Sequence, residues 1–457
     1  MTAAILEERK NSIGFKAGGG NSDGPGVSCG KNSLSGAVSQ RACVFCGARV
    51  VLNPITDAFH LVHGPVGCAS YTWDIRGSLS SGSELYRNSY STDLSERDVI
   101  FGGLPKLREA IAEIHLKHRP SLMFVYSTCI AGVIGDDVDS ACAEAERKFG
   151  MRVVNVKAPG FAGHKAMGYA LACEAMMKVI SEAPPARAVP GTVNVLGDYN
   201  LAGEAWIIEN YFREMGIRVL ATFTGDSSHE KLLRSTGASL NVVQCAGSMT
   251  RLARRMEETF GIPFVKASFF GIGDTGSSLA KTADLLGDKR AREKAREIRE
   301  REGGRAEKEI ARYLPKLRGK KAAIFVGGGF KAISLMRQFK DLGMETVLVG
   351  TQTGTADEYE VIAGLASPGT VILDDANPSE LEKFMREKGA DILVGGVKER
   401  PLAYKLGVAF CDHNHERKIP LAGFEGALNF TKELNDSINS PVWKTLRGAR
   451  DFGAAAS

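Results

Sequence analysis

Three short stretches offer cysteine from what read as turns: RACVFCG at residues 41–47, HGPVGC at 63–68 and STCIAGVIGDD at 127–137. In each, the sulfur sits beside glycine, proline or another small residue and next to an apolar run, the setting in which a loop at a strand end presents a side chain. A soft, electron-rich thiolate is the side chain that holds iron-sulfur clusters, so Cys43, Cys68 and Cys129 together suit such a cluster, with at least one more ligand supplied from elsewhere. Three loop cysteines with no common role are the alternative. Cys46 makes a Cys-x-x-Cys with Cys43, but the sequence has no second such pair, which disfavours a zinc ribbon.

Further residues sit where α/β proteins place ligands. Cys245 follows the apolar run LNVVQ, at the carboxyl end of an expected strand, where open sheets bind ligands. GDYNLAGEAW (197–206) and VGGGFKAIS (326–334, with Lys331) join strand to helix through glycines. Backbone N–H groups there could face an anion, although neither stretch matches a nucleotide-binding fingerprint. CDHNHERK (411–418) crowds His413 and His415 around Asn414. A mononuclear metal site and a polar loop lining a cavity are both consistent with it.

These side chains need a scaffold, and the apolar patterning supplies one. SLMFVYST, RVVNVKA, TVNVLGDY, RVLATFT, LNVVQCA, AAIFVGGG, TVLVGT, TVILDD and DILVGG read as strands, separated by amphipathic helices. Apolar runs that do not alternate, each followed by a helix, mark parallel sheets covered on both faces. The fold class is therefore α/β, with repeated doubly wound parallel-sheet (Rossmann-like) domains. PPARAVPG before Thr192 and the charged helical run at 288–321 mark junctions. They divide the chain into a flexible tail at 1–39 and domains at 40–190, 191–320 and 321–457. The tail is rich in Gly, Ser, Asn and Lys, a composition that does not order itself.

The 457 residues exceed one hydrophobic core, and apolar and charged fractions of 44% and 24% are those of an ordinary globular protein. A net charge of +5 is mild for this length and argues against a nucleic-acid partner. No apolar run is long enough to span a bilayer, and the first residues lack the apolar core of a secretory leader, so no membrane partner and a cytoplasmic location are expected. Nine cysteines without a leader argue against a disulfide framework. Cys142 and Cys173 fall on helical patterns and read as small core hydrophobes.

The motifs HGPVGC, STCIAGVIGDD, GDYNLAGEAW, VVQCAGSM, VGGG, GGVKER and INSPVW occur in this order over nearly the whole chain. The sequence thereby resembles the α-like subunits of the nitrogenase component 1 superfamily, most closely the scaffold branch on which the iron-molybdenum cofactor is matured. The resemblance implies three Rossmann-like domains in an α2β2 heterotetramer with a β-like (NifN-like) subunit. It assigns Cys43, Cys68 and Cys129 to an interface iron-sulfur cluster of 4Fe-4S or P-cluster-like type, and Cys245 to the large cofactor or its precursor.

The same comparison puts Asn414 where the catalytic subunit's molybdenum-ligating histidine would be, flanked by His413 and His415. It puts Tyr169 in place of the histidine that serves dinitrogen reduction, and Lys165 in place of a glutamine beside the cofactor. A phenol with a pKa of ~10 is a poorer proton donor at neutral pH than imidazole. Lys165 and Lys331 become candidate electrostatic partners of the anionic cluster or of homocitrate. The implied function is binding, maturation with molybdenum and homocitrate, and release of the cofactor precursor, served by a NifH-like reductase protein and a precursor donor. The alternative is the catalytic α-subunit of a nitrogenase-like reductase, such as methylthio-alkane reductase, holding a finished cluster.

Overall fold

The structure is a computed structural model, and it describes residues 12–16, 42–72, 79–80, 88–184, 187–414 and 417–443. All nine expected strands form, in three sheets. The first sheet has the order β3-β2-β4-β5, with β2 Ala58–His63, β3 Ser89–Ser91, β4 Leu122–Ser127 and β5 Arg152–Lys157, all parallel. The second has the order β7-β6-β8-β9, with β6 Thr192–Asp198, β7 Arg218–Thr224, β8 Leu240–Val243 and β9 Phe264–Lys266, again parallel. In the third, β10 Lys321–Val326, β11 Glu345–Thr351, β12 Val371–Asp374, β13 Ile392–Gly395 and β14 Ala409–Asp412 run parallel in the order β12-β11-β10-β13-β14. Helices follow nearly every strand, as the buried, non-alternating runs require.

Two compact units hold these sheets. One comprises Ala42–Ala267 and Leu279–Lys294 and carries the first two; the other comprises Met1–Arg41, Ser268–Ser278 and Ala295–Ser457 and carries the third. Within the first unit, Leu122, Phe124 and Val154 of the first sheet share one apolar core with Leu196, Phe223 and Val243 of the second. The proline-rich junction expected near residue 190 thus joins two sheets over a common core.

The stretch read as a flexible tail contributes a strand, β1 Ile13–Phe15, which adds antiparallel to the edge strand β12 with Ile13 opposite Leu373. Ile13 is buried, and Phe15 meets Phe384 edge-on at 5.9 Å. An unpaired sheet edge and two apolar side chains outweigh the polar composition around them. The glycine-rich run and Cys29 lie outside the described residues. Among the described residues no helix is long and apolar enough to cross a membrane.

One contact positions the site-bearing elements of the first unit. The helices Val44–Leu52 and Lys165–Ile180 cross at Gly47 and Gly168. A Cβ on Gly168 would lie 2.1 Å from Val44 O, and one on Gly47 would lie 2.1 Å from Lys165 O. The backbones touch, so neither position has room for a methyl group. Gly168→Ala should destabilise the unit by about 1–3 kcal/mol through overpacking, lowering Tm by roughly 2–12 °C in a thermal melt. Gly364→Ala, on a helix where a Cβ would meet nothing within 4 Å, should leave Tm unchanged or raise it.

Candidate cluster sites

Parallel strand order brings the cysteine loops together. β2 and β4 are in register from Ala58 opposite Leu122 to His63 opposite Ser127, and β4 pairs with β5 up to Ser127 opposite Lys157. The turns after these strands therefore leave the sheet side by side. Cys68 follows β2 in the helix Val66–Tyr71, Cys129 opens the helix Cys129–Ile134 after β4, and Gly160 follows β5. Cys43 joins them as the extended N-cap of Val44–Leu52, bridged to His164.

The three sulfurs converge. Gly160 N–H donates to Cys129 Sγ at 3.0 Å. A Cβ on Gly160 would stand 3.1 Å from Cys129 Sγ and 3.9 Å from Cys43 Sγ. Burial pushes the Cys68 thiol up, and the neighbouring Cys129 and Cys43 add to the rise against a hydrogen bond with Thr128. All three cysteines are partly exposed. Among the described residues no three His, Cys, Asp or Glu side chains are close enough to share a single metal ion. Three thiols near one another suit the donor chemistry of an iron-sulfur cluster, whose positive irons would offset the repulsion between thiolates.

His63 and Asp136 hold this arrangement, and both lie inside motifs valued for their cysteines. The buried His63 ring bridges Thr92 Oγ1 (3.1 Å) and Asp136 Oδ2 (2.9 Å). Asp136 also accepts from Gly103 N–H at 3.1 Å. Burial, opposed by Asp136, lowers the His63 pKa. The clamp ties the HGPVGC turn to the end of the STCIAGVIGDD segment.

A second group forms around Cys245, which N-caps the helix Ala246–Phe260 just after β8. Gly197 at the end of β6 has φ +91°, and a Cβ there would fall 2.5 Å from Cys245 Cβ, so only glycine fits. Lys165 Nζ stands 6.0 Å from the Tyr169 ring centroid. Burial pushes the Tyr169 phenol up; Lys165 opposes this, while Cys245 and Cys46 reinforce it. Tyr199, whose phenol burial also raises and Cys245 reinforces, donates to Ser248 Oγ at 2.8 Å. Cys245, Lys165 and Tyr169, far apart in sequence, thus share one neighbourhood.

The glycine-rich turns satisfy themselves. In 197–206, Ala202 N–H donates to Glu204 Oε2 (2.8 Å) and Ala205 N–H to Asn200 Oδ1 (3.1 Å). At the start of Gly329–Asp341, Phe330 N–H donates to Glu358 Oε1 at 3.0 Å. Donors that could have faced an anion are thus taken by the chain's own carboxylate or amide oxygens.

In the C-terminal unit, Lys331 Nζ donates to His413 O at 2.9 Å and lies 5.5 Å from the Phe270 ring centroid. The His413 ring has no exposed surface and sits edge-on between Phe270 (5.1 Å) and Phe430 (5.2 Å). Burial holds its pKa well below the usual value, with Lys331 and Arg417 adding to the effect. Both ring nitrogens of His413 are buried without a hydrogen-bond partner. Asn414 remains partly exposed, its N–H donating to Asp412 Oδ1 at 2.7 Å and its Nδ2 2.6 Å from where a Gly396 Cβ would sit. His415 lies outside the described residues.

With two thiol groups and an asparagine loop in place, the chain can be set beside known proteins. Its residues 43–439 match the model of the nitrogenase component 1 type oxidoreductases. The chain belongs to that family. It is 60% identical over 440 residues, 96% of each chain, to the nitrogenase iron-molybdenum cofactor biosynthesis protein NifE of Clostridium pasteurianum. It is 50% identical over 452 residues, 97% of each chain, to NifE of Methanosarcina barkeri. Among solved structures, nitrogenase Cp1 at pH 5 superposes with a TM-score of 0.86 at 29% identity over 96% of both chains.

For a nitrogenase component 1 type chain, GGVKER contains a residue the motif reading passed over. Glu399 is buried; its Oε2 accepts from Gly396 N–H at 2.8 Å and its Oε1 has no hydrogen-bond partner. Burial pushes its carboxyl up to about 7. The folded chain therefore keeps a proton that the unfolded chain loses, so this contribution to stability is complete below the unfolded pKa and is lost as pH rises through about 7. Glu399→Gln should flatten that slope. In denaturant titrations the parent should lose ~2–3 kcal/mol more than the variant between about pH 5 and pH 8.

Proposed function

We propose that the chain is the α-like half of a scaffold on which the precursor of the nitrogenase iron-molybdenum cofactor is bound, matured and released. The observation that carries this reading is 60% identity along 96% of the length of a NifE protein. The site chemistry agrees: Cys245 offers one thiol to the cargo. A cargo tied by one protein thiolate can be released by breaking one bond.

Cys43, Cys68 and Cys129 hold an iron-sulfur cluster at an interface, and a NifN-like subunit completes its ligands. That cluster supplies electrons. Gly160 N–H stabilises charge on Cys129 Sγ, and the His63–Asp136 clamp fixes the loops that present the sulfurs. Lys165, over the Tyr169 ring, brings a positive charge to the neighbourhood of an anionic cargo. Tyr169 and Tyr199 enclose the cargo thiol with phenols that stay protonated, so they do not add negative charge. Molybdenum and homocitrate are inserted into the bound precursor, with a NifH-like protein as electron donor.

The test is anaerobic purification with the partner subunit, followed by iron and molybdenum analysis and transfer to cofactor-free nitrogenase. Activation of the recipient is expected. A cluster that stays bound while the complex reduces a substrate with its own donor would overturn the scaffold reading and leave the reductase. Cys245→Ala should abolish transfer while sparing the interface cluster's electron paramagnetic resonance signal. Cys129→Ala should remove that signal.

A further inference from the structure

A cavity of about 440 Å³ opens in the C-terminal unit, lined by none of the candidate site residues named from the sequence. One side is the start of the helix Ile272–Leu285. Gly271, at φ +86°, turns the chain into it, and Thr275 N–H donates to Gly271 O at 3.1 Å as its first helical bond. The N–H groups of Ile272 and Gly273 precede that bond, so no carbonyl within the helix serves them, and they form the positive end of its dipole. A Cβ on Gly273 would meet nothing within 4 Å, so this backbone is open to a ligand.

Gln338 is an independent sign. It is 6% exposed, its Cγ lies 2.7 Å from where a Gly271 Cβ would sit, and its Nε2 has no hydrogen-bond partner. A buried amide donor left without an acceptor forfeits its hydration with nothing in return. An acceptor in the cavity would remove that cost.

The charges around the cavity leave room for an anion. Arg299, from the π-helical segment Arg299–Gly303, pairs with Glu307 at 2.6 Å. Asp274 is held by Arg337 and Ser334, each at 2.8 Å. Asp341, on another wall, has its carboxyl pushed up by burial and then by Asp274, the direction that lessens its repulsion of an anion. Most of the rest of the lining is aliphatic, notably Ile310, Leu314 and Leu342, with Thr431 Oγ1 turned to Ala427 O.

We propose that this cavity binds a small organic carboxylate. Its carboxylate accepts from the Ile272 and Gly273 N–H groups and the Gln338 amide, and its carbon chain lies against Ile310, Leu314 and Leu342. Donors at one end and hydrocarbon at the other favour such an acid over a bare tetrahedral oxyanion. The inference does not rest on the scaffold reading.

The test is calorimetric titration of the full chain, purified anaerobically with its partner subunit, using glutarate, citrate and sulfate as probes. Saturable binding of glutarate or citrate is expected, with sulfate at least tenfold weaker. Gln338→Leu removes the unsatisfied donor without leaving a buried polar atom, so it should fold, and it should weaken the carboxylate tenfold or more. Gly273→Leu should block the cavity and abolish binding. No saturable binding, sulfate binding as tightly as the carboxylates, or carboxylate binding unchanged in both variants would overturn the proposal.

Discussion

Two helices of the first unit meet backbone to backbone at Gly47 and Gly168, and both thiol sites depend on that contact. Cys43 caps one helix, while Lys165 opens the other and Tyr169 adjoins the crossing glycine. His164 strengthens the join: it caps its own helix by accepting from Ala166 N–H at 3.3 Å and bridges to Cys43. Side chains that interdigitate can shift to absorb a displacement, whereas backbones in contact cannot. The spacing between Cys43 and the residues around Cys245 is therefore set by main chain.

The core beneath this joint contains a charged group that most cores exclude. Arg49, on the Cys43 helix, is 3% exposed, and its guanidinium lies 5.6 Å from the Tyr126 ring centroid while Nη2 donates to Ser89 Oγ at 2.6 Å. Tyr126 Oη in turn meets His60 Nδ1 at 2.9 Å. Burial lowers the Arg49 and His60 pKa values and pushes Tyr126 up, so each group is driven toward its neutral form. Cation–π attraction and one hydrogen bond offset part of the cost of burying the guanidinium. The network links β2, β3 and β4 to the helix that carries Cys43.

The same network explains what the sequence concealed. Nine strands were legible because their runs are apolar throughout, as a sheet covered on both faces demands. β2, AFHLVH, carries two histidines, and its identity as a buried central strand rests on partners for them, Tyr126 and Asp136, that come from distant segments. β3 and β9 are three residues each, too short for any period to show. The three loop cysteines could be grouped because each follows or precedes a recognisable element. Their clamp, His63 with Asp136, could not, since its members are 73 residues apart. The 411–418 loop shows a related limit: polar composition signals exposure only on average, and the His413 ring packs between two phenylalanines.

Glycine-rich strand-to-helix turns invite a common error, and the chain contains both outcomes. At 197–206 and at Gly329, backbone donors face groups the chain supplies itself, Glu204 and Asn200 in one and Glu358 in the other. At Gly271 the sequence offers an equivalent, Asp274, three residues into the turn where a capping carboxylate would stand. Arg337 and Ser334 draw that carboxylate away through both of its oxygens. The turns look alike in sequence, and the cations and hydroxyls of the neighbouring helix decide whether the acid caps its own helix. Where it is drawn off, the helix start keeps its donors for something that is not part of the chain.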